Sequence, residues 1–522
     1  MIVITPVFTV TTITARNIMS KATGVRVIAK YTITDKWAVA AVIIIAALRL
    51  SCIWLMGLMP QDAYYYFYGQ HLALSYFDHP PAIAWILRAF TDMLGRHTWV
   101  IKLADTLVTT GTILAFWQLA RHFLSRRRAG NALLLLYSTL MITLLSLVST
   151  PDVPMMLFWT LSLTALYRAV FHGKRAAWIW IGIAMGLAFD SKYTALMLPV
   201  GTVLFLLLSA KYRHYLWSPW FLLSVSFFFL TISPVIIWNV NNHFASFRFQ
   251  SSERVSGAEL HPLDFFGVLG HQAAILIPVL FSAIVFYLYK NIRRRGIHLP
   301  ETISAQQLFL LCFFLPLFLG FIIISPVYWV KINWIMPAYI TGIIWVSIWI
   351  TGKWIRWQLI ISSVVHLALA VEIFFYPVAI HSDDTMVGWD GLGAVAVALR
   401  ARYPDDFIFS ADDYKTSAML NFYLGEMVYS RNVIGQNALQ FDFIGTELNA
   451  LKGKNALFIN SLIDVEDDKD EQIFIGEVKP WFETVESLPP IVVTLHGHTV
   501  RKFLVFRCIG YKPEVRPQEL SP

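Results

Sequence analysis

The chain has 522 residues, of which 57% are hydrophobic and only 14% charged, and its mean hydropathy is +0.59. A water-soluble fold cannot bury so much apolar surface, so the composition defines a polytopic membrane protein. The net charge of +8 does not indicate a nucleic-acid partner, because the basic residues fall in short runs between apolar spans, the positive-inside pattern. Three cysteines, Cys52, Cys312 and Cys508, offer no disulfide framework.

In chain order, residues 1–36 carry Arg16, Lys21, Arg26, Lys30 and Lys36 and read as a cytoplasmic segment. The first strong span, Trp37 to about Met59, lacks a small-residue cleavage site and reads as a signal anchor. The apolar, β-branched opening Met1–Thr14 is open between an interfacial segment and a mis-assigned start. Residues 60–98 form a first outer loop rich in aromatics. Alternation then predicts about 11 spans of ~20 residues, with turns at Pro151–Pro154, Asp190–Thr194, Asn239–Asp264 and Ser325–Asn333 on the outer side. Arg126–Arg128, Lys174–Arg175, Lys211–Arg213, Lys290–Arg295 and Lys353–Arg356 all fall inside. Arg88, Arg96, Lys102, Lys192, Arg248, Arg254 and Lys331 remain outside, against the orientation rule, and call for another reason. The transmembrane unit therefore covers 37–378, in a multi-pass arrangement. Beyond it, residues 379–522 have shorter apolar runs, with a helix over 391–402, a strand at Phe407–Phe409, a helix from about Asp413 to Tyr423, a strand at Ala456–Ile459 and a hairpin around His496–His498. That is a small soluble α/β domain on the outer face. Asp464–Glu471 reads as an acidic surface loop.

The polar residues gather at the outer face. Asp62 closes the first span at headgroup level, where a carboxylate can deprotonate a hydroxyl acceptor; it can equally be a plain N-cap for a helix Ala63–Ala73. Asp78-His79-Pro80-Pro81 breaks helix and makes a turn. Lys192 lies in a short turn between apolar spans, as either a snorkelling partner of Asp190 or a cation for a lipid phosphate. Lys331, Arg248 and Arg254 have the same phosphate-binding logic on their loops. The aromatics Tyr64–Tyr68, Tyr76, Phe77 and Trp85 read as an interfacial amphipathic segment, with Tyr65, Tyr76 and Trp85 as candidates to stack on a sugar. The sequence contains no Gly-rich phosphate loop and no Cys/His metal cluster, so a nucleotide-sugar donor has no support.

Several motifs occur together and in order: Asp62-Ala63-Tyr64-Tyr65, Tyr76-Phe77-Asp78-His79-Pro80-Pro81-Ala82-Ile83-Ala84-Trp85, Thr150-Pro151-Asp152-Val153-Pro154, Ser191-Lys192-Tyr193-Thr194, Trp238-Asn239 and Asn333-Trp334 with Pro337-Ala338-Tyr339. They resemble those of bacterial GT-C glycosyltransferases of the protein O-mannosyltransferase and aminoarabinose (lipid A) transferase superfamily, over roughly residues 37–345. The resemblance implies a polytopic α-helical GT-C fold and transfer of a sugar from a polyprenyl-phosphate donor to a hydroxyl of lipid A, a surface glycan or a protein, among membrane lipids. It implies Asp62 and Asp78 as catalytic acids or ligands of a divalent cation, and His79 as a phosphate contact. The family commonly has Asp-Glu in the first loop, where this chain has Gln61-Asp62. A transporter or flippase binding a charged lipid without chemistry is the competing class; transporters place their charges near the bilayer midplane, whereas these lie at one face.

Overall fold

The computed structural model describes residues 36–253, 259–295, 302–378, 380, 382–462 and 469–513. The predicted segment 1–36 falls almost wholly outside these residues, as does Arg254. The chain opens with α1 (Lys36–Leu55), followed by α2 (Pro60–Gln70) and α3 (Ala82–Leu94) in the first loop, and then α4 (Thr98–Phe123), α5 (Arg126–Tyr137), α6 (Leu140–Leu147), α7 (Asp152–His172), α8 (Ala177–Phe189) and α9 (Met197–Leu208). It continues through α10 (Pro219–Thr231), α11 (Ser233–Asn241), the short α12 (Ala245–Arg248), α13 (Asp264–Leu276), α14 (Pro278–Arg295), α15 (Ala305–Ile324), α16 (Met336–Val346) and α17 (Gly352–Phe375).

Among the described residues five helices are individually long and apolar enough to cross a membrane: Ala38–Leu55 within α1, α4, α7, α15 and α17. Three predicted spans are not straight rods. The α5–α6, α10–α11 and α13–α14 pairs bend by 60°, 48° and 114°. Shorter apolar helices occupy Ala177–Phe189, Tyr193–Leu208 and Met336–Val346.

A bend inside an apolar phase frees backbone groups that need partners, and buried side chains on α1 and α17 supply them. The Arg49 guanidinium donates to Tyr137 O (2.8 Å), Thr139 O (3.3 Å) and Thr143 Oγ1 (2.8 Å) across the α5–α6 break. One turn apart on α17, Gln358, Ser362 and His366 face the same region. Gln358 Nε2 donates to Leu276 O (2.9 Å), and its Oε1 accepts from Leu280 N (2.9 Å), on the two sides of the α13–α14 bend. Ser362 Oγ donates to Ser138 O (2.6 Å), and His366 Nε2 lies 2.6 Å from Thr143 Oγ1. Elsewhere helices approach through small residues: a Cβ at Gly182 would stand 2.2 Å from Ser224 O, and one at Gly186 2.5 Å from Thr231 Cβ, so the Gly182-x-x-x-Gly186 face seats α8 directly on α10.

After α17 the chain forms a four-stranded sheet in the order β1-β2-β4-β3, from β1 (Phe407–Phe409), β2 (Ala456–Leu462), β3 (Thr484–Leu495) and β4 (His498–Ile509). β1 pairs parallel with β2, aligning Phe409 with Phe458; β4 runs antiparallel to β2 and β3. Helices α18 (Trp389–Arg402), α19 (Lys415–Leu424) and α20 (Lys469–Val478) accompany it. The predicted acidic loop 464–471 lies mostly outside the described residues, and its end begins α20. This unit packs on the first loop, α19 against α2.

That contact changes the reading of the loop aromatics. Tyr64, Tyr65, Tyr66, Phe67 and Tyr68 are all buried and do not lie in the lipid interface. Tyr64 stacks on Tyr414 (4.2 Å between centroids) and Phe67 on Phe441 (4.4 Å). Tyrosine is suited to such a position, because its ring packs while its hydroxyl finds a partner.

Candidate active site

Three buried polar centres lie at the end of the helices where α4 and α7 begin. The first is built on Asp62. The structure places it at the third position of α2, so it is not the N-cap; its Oδ2 accepts from Met59 N (2.9 Å), half of a capping box. The same oxygen accepts from Lys102 Nζ of α4, and Oδ1 accepts from Ser149 N (2.8 Å) at the α6–α7 turn. Both charged side chains have no solvent exposure. Lys102 also donates to Leu147 O (2.6 Å), and Ser149 Oγ donates to Asp105 Oδ2 (2.6 Å). Asp105 Oδ1 is buried without a partner. An ion pair is tolerated at such depth only when further hydrogen bonds satisfy both members, and here they do so for Asp62 and Lys102.

The second centre is Asp152 at the start of α7. Lys192 Nζ bridges both its oxygens (2.9 and 2.8 Å), and Asn333 Nδ2 donates to Oδ2 (2.6 Å). Lys192 does not snorkel. Its side chain is 7% exposed and its partner is Asp152 rather than Asp190. Asp190, in the turn after α8, keeps a buried Oδ1 without a partner, and burial pushes its carboxyl up to about 8. Its backbone carbonyl accepts from Ala82 N (3.0 Å), tying this turn to the first loop.

The third centre is Asp78. Its Oδ1 accepts from the Tyr64 (3.4 Å) and Tyr68 hydroxyls of α2, and its backbone oxygen accepts from Gln250 Nε2 (2.5 Å) beyond α12. The Tyr65 ring lies 6.0 Å from His79. Tyr76 is fully buried and its hydroxyl donates to Tyr68 O (2.8 Å); Trp85 Nε1 donates to Ala73 O (3.2 Å). Through these contacts Tyr76 and Trp85 brace the first loop. Arg248 and Lys331 are exposed, Lys331 two residues from the Asn333 that grips Asp152.

The structure thus brings Asp62 and Asp78 onto the two sides of one short helix and joins Lys192 to the loop carrying Lys331. Sequence reading missed the partners. Lys102 stood out only as a basic residue on the wrong side, and Asp105, three residues on, lies on the same helical face. A lysine and an aspartate inside an apolar span are a functional signal in themselves. As a divalent-cation site the arrangement does not fit: both Asp62 oxygens are taken by N–H and ammonium donors, and no group of three or more His, Cys, Asp or Glu among the described residues could hold a metal ion.

The broken helices, the buried ion pairs at one end and the appended sheet can be set beside known proteins. Residues 78–238 match the family model described as dolichyl-phosphate-mannose-protein mannosyltransferase. The chain is 24% identical over 324 residues to the lipid A galacturonosyltransferase RgtD of Rhizobium johnstonii, covering 60% of this chain and 66% of that protein. It is 32% identical over 153 residues to the undecaprenyl phosphate-α-4-amino-4-deoxy-L-arabinose arabinosyl transferase of Pseudomonas aeruginosa, 28% of each chain. The match therefore spans just under two thirds of the first relative's length and under a third of the second's. The crystal structure of ArnT from Cupriavidus metallidurans in the apo state superposes with a TM-score of 0.63 at 14% identity, over 92% of this chain and 100% of that one. The same protein bound to undecaprenyl phosphate gives 0.59 at 16% identity, over 90% and 98%. The chain thus shares the fold of the two ArnT structures and is similar in sequence to polyprenyl-phosphate-dependent glycosyltransferases over part of its length.

Proposed function

We propose that this protein transfers a sugar from a polyprenyl-phosphate-linked donor to a hydroxyl acceptor, with lipid A the acceptor best supported, on the periplasmic face of the inner membrane. In this reading the chain crosses the membrane about 11 times, the N-terminus is cytoplasmic, and the sheet unit hangs over the site from outside. The observation that carries the proposal is the Asp62–Lys102 pair, fully buried beside the Asp152–Lys192–Asn333 cluster at one membrane face. Two cations and two carboxylates placed so deep, at the level of lipid headgroups, are what charge separation on a phosphate leaving group needs.

The transfer breaks the bond between sugar C1 and the phosphate oxygen and forms one from C1 to the acceptor oxygen, whose proton must leave. Polyprenyl phosphate departs with additional negative charge. Lys192 is placed to exchange part of its contact with Asp152 for that phosphate, and Lys331, Arg248, Arg254 and His79 are the further phosphate contacts of this reading. Asp62 or Asp78 accepts the acceptor's proton. For Asp62 this requires giving up one of its present donors; for Asp78 it means replacing a tyrosine hydroxyl with the acceptor's. The names of the relatives support an aminopentose or a hexuronic acid as the sugar, and a lipid A acceptor. The direct test incubates the purified protein with undecaprenyl-phosphate-linked galacturonic acid, hexose or 4-amino-4-deoxyarabinose and lipid A, and weighs the product. Modified lipid A with at least one donor is expected. Absence of product and of donor breakdown with all three, from a folded preparation, would overturn the reading.

A further inference from the structure

At the opposite end of α4 and α7 the helices part around an open cleft of about 710 Å³. Arg121 lies ~28 Å from Lys102 along α4, at 1.5 Å per residue, which is the depth of a bilayer core. The cleft is therefore at the cytoplasmic surface if the buried pairs are at the other. Its apolar wall is made by Leu114 and Leu161, 64% and 37% exposed, and by Trp117. Its mouth carries Arg121, His122 and Arg168. Both arginines are exposed, and among the described residues neither has a carboxylate partner. The chain has no acid between Asp105 and Asp152 or between Asp152 and Asp190, so nothing local neutralises them. Arg121 rests over the Trp117 ring (5.6 Å), and His122 Nε2 is buried without a hydrogen-bond partner. Tyr167 stacks on His122 (4.5 Å) and donates to its backbone oxygen (3.1 Å), so the imidazole is held in place at the mouth.

We propose that this cleft is a binding site for an anionic phospholipid of the cytoplasmic leaflet, of the phosphatidylglycerol class. Exposed guanidiniums above an apolar, lipid-facing groove match a phosphodiester with its acyl chains below, the chemistry of basic inter-helix pockets on cytoplasmic membrane faces. The phosphate takes the Arg121 and Arg168 donors, and one acyl chain runs along Leu114 and Leu161. The site is separate from the sugar-transfer centre and stands whether or not that reaction is correctly assigned.

The test is native mass spectrometry of the full chain released from micelles of equimolar phosphatidylglycerol and phosphatidylcholine. Wild type is expected to retain phosphatidylglycerol selectively, and the Arg121→Gln/Arg168→Gln double variant to lose that selectivity by about tenfold or more, two charge-assisted bonds being removed. The control is Arg126→Gln/Arg127→Gln, which removes two charges from the same end of the bundle outside the cleft and is expected to keep it. Brominated phosphatidylglycerol adds an independent readout, since its selective quenching of fluorescence is expected to shrink in Trp117→Phe. Equal retention of the two lipids by wild type, or an equal loss in the control variant, would overturn the proposal and leave only a diffuse basic surface. Both double variants must elute as monodisperse as wild type.

Discussion

Asp62 is a structural partner of Lys102 and a candidate base of the proposed transfer, and the two roles separate only with a second substitution. Replacing it with Asn preserves size but strands the Lys102 ammonium where no water reaches it. Breaking such a pair costs about 3–5 kcal/mol, so Asp62→Asn is expected to lower the melting temperature as well as activity. Adding Lys102→Met removes the stranded charge. Stability of the double variant should return most of the way to wild type, since apolar replacements of buried pairs are tolerated. If Asp62 is the base, turnover stays about 10²–10⁴-fold down. Recovery of turnover together with stability would reassign the base to Asp78. Asp152→Asn poses the mirror question, because it releases Lys192 from its bidentate partner. Where Lys192 serves the donor phosphate, KM for the lipid donor should move more than thermal stability, as read from initial rates.

Individual elements show how far pattern reading reaches. The approximate spans were legible because runs of ~20 apolar residues have no other stable place, and the alternating, β-branched strands announced the sheet. Two of the bends had a signal in Pro234 and Pro278, which follow Ile232 and Ile277; the one at Ser138 had none, and at Ser138 and Ile277 the broken backbone is made tolerable by residues far off in sequence: Arg49 on α1 and Gln358, Ser362 and His366 on α17. The regular four-residue spacing of those three polar side chains on an apolar helix was the available clue. At the site, Asp62 and Lys192 were legible as charges at span ends, and Asp78 as an acid in the turn of the first outer loop. Their partners were not, since a contact from Asp62 to Lys102 or from Asp152 to Lys192 crosses 40 residues and leaves no local period. Small residues carry similar hidden information. Gly182→Ala would drive a methyl into Ser224 O, forcing α8 and α10 apart, and overpacking of this kind costs about 1–3 kcal/mol. A lowered melting temperature is expected, whereas Gly173→Ala, where a Cβ meets nothing within 4 Å, should be limited to the strain of its positive φ.

On the scale of the whole molecule the sheet unit and the membrane unit meet through α2, whose first turn holds Asp62 and whose tyrosines hold Asp78. Phe77 N donates to Gln440 Oε1 (2.7 Å), and the backbone N of Gln440 donates to the Tyr64 hydroxyl (3.3 Å), while Phe441 stacks on Phe67. The sheet unit therefore braces the first loop, which carries Asp62 and Asp78. Within that unit Asp412 accepts from Ser410 Oγ (2.9 Å) and Thr416 N (3.1 Å). Burial pushes its carboxyl up to about 7, with the nearby Asp383 charge adding to the rise and the Thr416 bond opposing it. An unfolded aspartate titrates near 3.9, so between about pH 4 and pH 7 the folded form binds the extra proton. Its contribution to stability is complete below pH 4, falls as pH rises through that window, and is flat above about 7. In Asp412→Asn that slope should vanish from the melting curve of the full chain, and an unchanged slope would show that Asp412 ionises normally. Phe441→Ala tests the docking itself. The side chain is fully buried, and truncating a buried Phe typically costs about 3–5 kcal/mol. Here the loss falls on the joint between units, so the membrane helices should keep their melting behaviour. Amide exchange should instead rise in 71–81 and 436–443, with a matching fall in turnover. Faster exchange without loss of turnover would mean that the sheet unit covers the site but does not shape it.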